Sequence, residues 1–148
     1  MLLKSQIQED LTTSMKAREE LKVSVLRMLK ADIMKLEVSG IKKEATDEDI
    51  ISIIQKQVKQ RKDSEEQFRA GGRAEMADKE AKEAEILLSY LPEQMSEEDV
   101  KKIVQETIKE IGATSKADMG KVMSAVMPKV KGKADGKIIN KFVMELLP

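Results

Sequence analysis

Residues 46–91 read TDEDIISIIQKQVKQRKDSEEQFRAGGRAEMADKEAKEAEILLSYL, and the fold is decided here. Thr46 and Asp49 stand at capping-box spacing, a hydroxyl and a carboxylate for the unpaired amides of a first helical turn. The helix they open can run to Ala70, about 37 Å at about 1.5 Å per residue. Gly71-Gly72 stops it, and a second helix follows from near Ala74 to Tyr90, turning Met76, Ala77, Ala84, Leu87 and Leu88 inward. Opposite charges at helical spacing, Glu65 with Arg69 and Lys79 with Glu83, add only about 0.2–0.5 kcal/mol per pair. Packed apolar stripes, not these pairs, must hold such a hairpin together.

The same spacing extends in both directions. Leu3, Ile7, Leu11 and Met15 recur every fourth residue and predict a helix with one buried face. A further helix, from about Glu19 to Val38, carries Leu21, Val25, Leu29, Ile33 and Leu36 inward and ends at Ser39-Gly40. Beyond Tyr90 comes a boundary, because Pro92 pushes Leu91 out of helical geometry. Ser96 with Asp99 opens a helix facing inward through Val100, Ile103, Val104, Thr107, Ile108 and Ile111, closed by Gly112. Ser115 and Asp118 repeat the capping pattern before Met119, Val122, Met123, Val126 and Met127. Asp135 caps a last helix that buries Ile138, Ile139, Phe142, Val143, Leu146 and Leu147. The expected fold is all-α: a bundle of about four helices over 1–91, then a small three-helix domain over 92–148.

Composition narrows the chemistry. The chain has 148 residues, 41% hydrophobic and 36% charged, which describes a folded, highly charged protein rather than a disordered one. With aromatics at 2%, cores must be filled by Leu, Ile, Val and Met. The absence of Cys excludes disulfides, thiolate metal sites and cysteine nucleophiles, and the absence of His removes the usual neutral-pH acid/base. No cofactor or metal is expected. Nothing approaches the roughly 18 apolar residues of a membrane span, so no membrane association and a cytoplasmic location are expected.

Charge is polarised in the C-terminal part. Residues 93–118 hold seven acids and four lysines, a net −3, whereas 119–141 hold six lysines and one acid, a net +5. Such a local face can attract phosphate although the whole chain, with 27 basic and 27 acidic residues, is neutral. The candidate RNA-binding residues are Lys121, Lys129, Lys131, Lys133, Lys137, Asn140 and Lys141. Three of them alternate through PKVKGKADG (128–136), where Gly132 and Gly136 permit close backbone approach. Lys137 and Lys141 lie four apart, on one helix face, with Asn140 beside them. Lysine contacts position a protein on a backbone without reading bases, and this face lacks an aromatic platform for unpaired bases. The expected ligand is therefore structured RNA. A solvated helix face that binds nothing is the competing reading of such lysines.

Other motifs carry less. AGGRAEM separates two helices and lacks the P-loop pattern. Asp47, Glu48 and Asp49 read as a helix start rather than a calcium loop. Met119, Met123 and Met127, at i, i+4, i+8, fit a core stripe better than a partner groove. Ser24 and Ser64 lack a nucleophile elbow, and the glutamates of SEEQF and KEAKEAE read as surface charge. No catalytic residues are assigned.

RKDSEEQFRAGGRAEMADKEAKEAEILLSYLPEQMSEEDV, followed by DMGKVMSAVMPKVKGKADGKIINKFV, resembles the GatB/YqeY family, most closely its stand-alone YqeY-like proteins. The resemblance spans essentially the whole chain, and YLPEQ and DMGKVMSAVMPKVKGKADG are its most specific parts. Gly120, Met123, Gly132, Lys133, Ala134 and Asn140 are similar to the tail domain of the aminoacyl-tRNA amidotransferase subunit GatB, which contacts tRNA without performing chemistry. The resemblance implies a non-catalytic tRNA-binding module associated with tRNA metabolism or glutamine-dependent tRNA amidotransfer. Alternatives are a protein-interaction adaptor for amidotransferase or translation proteins, or a carbon–nitrogen ligase activity with glutamine as amido-N-donor, inherited from the family and exercised only within a complex. The amidotransferase's cradle domain and Ser-Lys amidase signature have no counterpart here, so intrinsic activity is not expected.

Overall fold

A computed structural model describes residues 2–40 and 44–148. The described residues are all-α, without a strand: α1 (Leu2–Lys16), α2 (Glu20–Val38), α3 (Asp47–Ala70), α4 (Ala74–Leu88), α5 (Glu97–Ile111), α6 (Met119–Val130) and α7 (Gly136–Leu146), with a 3₁₀ turn at Lys116–Asp118 before α6. The chain divides into two compact units, 1–91 and 92–148.

In the first unit, the Thr46–Asp49 capping box forms in both directions. Thr46 Oγ1 accepts from the Asp49 amide at 3.2 Å, and Asp49 Oδ2 accepts from the Thr46 amide at 2.9 Å. The long α3 turns back at Gly71-Gly72 and packs along antiparallel α4; α1 packs on α2 and α3. Ile7 and Leu11 of α1, Val25, Leu26, Leu29 and Ile33 of α2, Ile50, Ile54 and Val58 of α3, and Leu87 of α4 make one apolar core. Fully burying a residue of this kind contributes about 1.5–3 kcal/mol, so packing outweighs the surface ion pairs many times over. Tyr90 closes the unit, its hydroxyl donating to Asp10 Oδ2 at 2.5 Å and tying the chain's exit to α1.

The second unit places α5, α6 and α7 around Val100, Val104, Val122, Val126, Val130, Ile139, Phe142, Val143 and Leu147. Ser96 accepts from the Asp99 amide, and Gly112 ends α5 in the left-handed conformation at φ 67°, which a side chain would strain.

Several expectations are corrected. Met15, Met76, Ile111 and Met127 are exposed rather than core-facing. Each lies at the margin of its helix's apolar stripe, where sequence spacing cannot tell a seam from its edge. Leu26, Ala45 and Val130 take up fully buried positions instead. Ser115 makes no side-chain cap; Asp118 accepts from the Thr114 amide at 3.0 Å, so a 3₁₀ turn leads into α6. Glu83, read as surface charge pairing with Lys79, is buried at 7% exposure and pairs with Arg61 of α3.

Candidate nucleic-acid interface

The lysine-rich turn is built from three local features. Pro128 lies within α6, yet the helix continues to Val130, whose side chain is fully buried. The Lys133 amide then donates to Val130 O at 2.9 Å, and Gly132, buried and at φ 75°, reverses the chain. Asp135 restarts helical geometry by accepting from the Lys137 amide at 3.1 Å. Lys131 and Lys133 therefore project outward while the backbone between them faces in.

The linker after α4 braces that turn. Gln94 Nε2 donates to Gly132 O at 2.8 Å and also to Pro92 O at 2.8 Å, while the Met95 amide donates to Lys133 O at 2.9 Å. Gln94 through its side chain and Met95 through its amide thus hold the turn's carbonyl oxygens, and neither was singled out from sequence. Their bonds span 38 residues, beyond any local pattern, and the only available signal was that YLPEQ and the lysine turn are the two most specific parts of the family resemblance.

All seven candidate residues are exposed. Lys137 and Lys141 share the solvent side of α7, opposite Ile139, Phe142 and Val143, and Asn140 lies between them. Lys121 occupies the side of α6 opposite Val122 and Val126. Among the described residues, Lys121, Lys133, Lys137 and Lys141 pair with no carboxylate. Lys141 Nζ lies 5.6 Å from the Phe142 ring centroid, within cation–π range.

Lys129 stands apart from this group. Its ammonium donates to Thr107 Oγ1 and to Glu110 Oε2, both at 3.0 Å, and fastens α6 to α5. Thr107 is fully buried, so Lys129 satisfies a hydroxyl that solvent does not reach. Its charge is half-committed inside the unit before any ligand arrives.

No helix among the described residues is long and apolar enough to cross a membrane. Comparison with known proteins gives one family and two relatives. The family model described as Yqey-like protein matches residues 4–147. A protein of Pyrenophora tritici-repentis (strain Pt-1C-BFP) named "altered inheritance of mitochondria protein 41, mitochondrial" is 28% identical over 144 residues, which are 95% of this chain and 78% of that protein. A Schizosaccharomyces pombe (strain 972) protein named only as uncharacterized is 34% identical over 94 residues, 64% of this chain and 76% of the relative.

Proposed function

The chain belongs to the Yqey-like protein family, and on that premise we propose that it is a non-catalytic module that binds structured RNA, tRNA in the first instance, through its last helical pair. The observation that carries this reading is that Lys121, Lys133, Lys137 and Lys141 of the last helical pair are exposed and, among the described residues, pair with no carboxylate, with Lys133 and Lys137 next to a braced, glycine-turned loop. Lys131 is exposed in the same turn, and Asn140 adds a neutral donor and acceptor on α7. Ammonium groups on a rigid turn lose less freedom on binding phosphate than the same groups on a mobile tail. Lys129 contributes mainly to fold, because its ammonium already serves Thr107 and Glu110. The likeness of Gly132, Lys133, Ala134 and Asn140 to the GatB tail supports tRNA as the class of RNA. The cytoplasm is the proposed compartment; the mitochondrial designation is that of the relative.

The test is charge reversal. K131E/K133E/K137E should weaken binding to total tRNA at least tenfold in a filter or mobility-shift assay, while helical content and unfolding midpoint stay close to the unaltered protein's. Equal affinity in a folded triple variant would refute the reading.

An adaptor role is favoured by a different observation: Met34 and Val38, four apart on α2, expose 53% and 80% of their surface. Recovery of ribosomal or amidotransferase proteins that survives nuclease treatment would support it over RNA binding.

A further inference from the structure

A second candidate site lies within the first unit. Between α2, α3 and α4 a half-open cavity of about 190 Å³ is lined by Met28, Asp32, Gln57, Gln60, Arg61, Ser64 and Glu80. Gln57 and Arg61, two polar residues in the interior half of α3, are only 5% and 8% exposed. Desolvating such groups is costly unless each polar atom finds a partner. Most do. Gln57 Nε2 donates to Asp32 Oδ2 at 2.6 Å, and Arg61 Nη1 donates to Glu83 and, at 3.5 Å, to Glu80 Oε2. Arg61 Nη2 reaches the Met28 sulfur at 3.4 Å. Two atoms are left over: Gln57 Oε1 and Arg61 Nε are buried with no hydrogen-bond partner.

The charges do not balance either. Glu80 and Glu83 bring two negative charges to the Arg61 guanidinium, and Asp32, bonded to Gln57, adds a third to the cavity wall. Among the described residues the one further cation paired with them, the Lys35 ammonium, stands 4.0 Å from Asp32 on an 83%-exposed side chain. Against one unpaired donor, Arg61 Nε, the acceptors are more numerous: the Asp32 and Glu80 carboxylates on the wall, the stranded Gln57 carbonyl oxygen, the Ser64 hydroxyl and the Gln60 amide oxygen. Among the described residues, no three acidic side chains are arranged to hold a metal ion. An acceptor-rich cavity with surplus negative charge and a thioether wall calls for a small organic cation carrying N–H donors and a short alkyl chain.

We propose that the Asp32–Gln57–Glu80 cavity binds a primary alkylammonium group, its N–H donors directed to the Asp32 and Glu80 carboxylates and the Gln57 carbonyl oxygen, its alkyl chain against Met28. A free alkylamine and a lysine side chain share this chemistry. The cavity's modest volume and its position between three helices of one unit favour the free amine. No covalent step is involved, and the site is independent of the RNA-binding reading.

The test uses the full chain, labelled at its methionine methyl groups, titrated with n-butylammonium chloride. Matched titrations use tetramethylammonium chloride, which has the charge without N–H donors, and Nα-acetyl-lysine methylamide, which presents the lysine ammonium. Saturable displacement of the Met28 methyl resonance by butylammonium, with Met127 and Met144 unmoved and tetramethylammonium inert, is the expected result. Tighter binding of butylammonium than of the lysine derivative identifies a free amine as occupant; the reverse order identifies a partner's lysine. D32N and E80Q should each weaken binding about tenfold, the equivalent of one charge-assisted hydrogen bond. D32N keeps an acceptor for Gln57, so it remains informative if E80Q disturbs the Arg61 contacts. No saturable Met28 shift, or equal shifts with tetramethylammonium, overturns the proposal.

Discussion

Replacing Arg61 by Met should unfold much of the first unit's stability margin, through the carboxylate it leaves behind. Glu83 is 7% exposed and its buried partner is the Arg61 guanidinium. R61M keeps most of the side-chain volume but strands that carboxylate away from water. Breaking a buried ion pair from one side costs about 3–5 kcal/mol, a fifth or more of the roughly 5–15 kcal/mol that holds a typical domain folded. At a urea slope of about 1.5 kcal/mol/M the midpoint should fall by about 2–3 M. Tyr90 is the only tyrosine and there is no tryptophan, so intrinsic fluorescence reports the first unit alone, while circular dichroism reports both. The double variant R61M/E83L removes both charges and should recover most of the loss, since an apolar pair of similar volume often matches a buried ion pair. A loss below about 1 kcal/mol in R61M, or a double variant as unstable as the single one, would refute the reasoning.

Three further outcomes follow from named contacts. Tyr90→Phe removes the bond to Asp10 and should cost about 1–2 kcal/mol in the fluorescence-silent variant followed by circular dichroism. Burial, reinforced by the Asp10 carboxylate, raises the Tyr90 hydroxyl above its ordinary range, so its contribution holds below about pH 10 and is lost as pH rises further. A Tyr90 that ionises at its ordinary pH in the folded protein would contradict this. The Lys4 ammonium, then the Ala45 amide, hold the Glu37 carboxyl below its usual value. Its contribution is therefore present above that value and lost as pH falls through the lowered one; E37Q should be less stable at pH 7, and its thermal midpoint should approach the parent's as pH falls below the ordinary glutamate range. Gly132→Ala puts a side chain on a buried residue at φ 75° and should cost the second unit about 1–2 kcal/mol. It should weaken RNA binding in parallel, because the Gln94-braced turn moves; unchanged stability would show that the turn tolerates another conformation.

Helix positions were legible because their signals are local. The Thr46–Asp49 box, the Ser96 cap and the Gly112 stop all act within four residues, and the structure places each where its spacing predicts. Apolar periodicity located the stripes but not their edges, and Met15, Met76 and Met127 fell on the wrong side because a helix period says nothing of how wide the neighbouring element is. The polar interior was hidden for a different reason. Arg61 and Glu83 are 22 residues apart and meet only once the register of the α3–α4 hairpin is fixed, while sequence reasoning assigns charge to the surface by default. The candidate interface shows both limits. Its lysines stand out as a charge run, but the partner of Lys129 and the brace from Gln94 depend on contacts across the unit.

The salt dependence of tRNA binding tests the central claim most directly. If four or five lysines of the last helical pair displace counterions from a phosphate backbone, a plot of log affinity against log salt should fall with a slope of about −3 to −4. In K131E/K133E/K137E the slope should flatten by about 2–3. Undetectable affinity for tRNA at low salt, or a slope that the substitutions leave unchanged, would contradict the account.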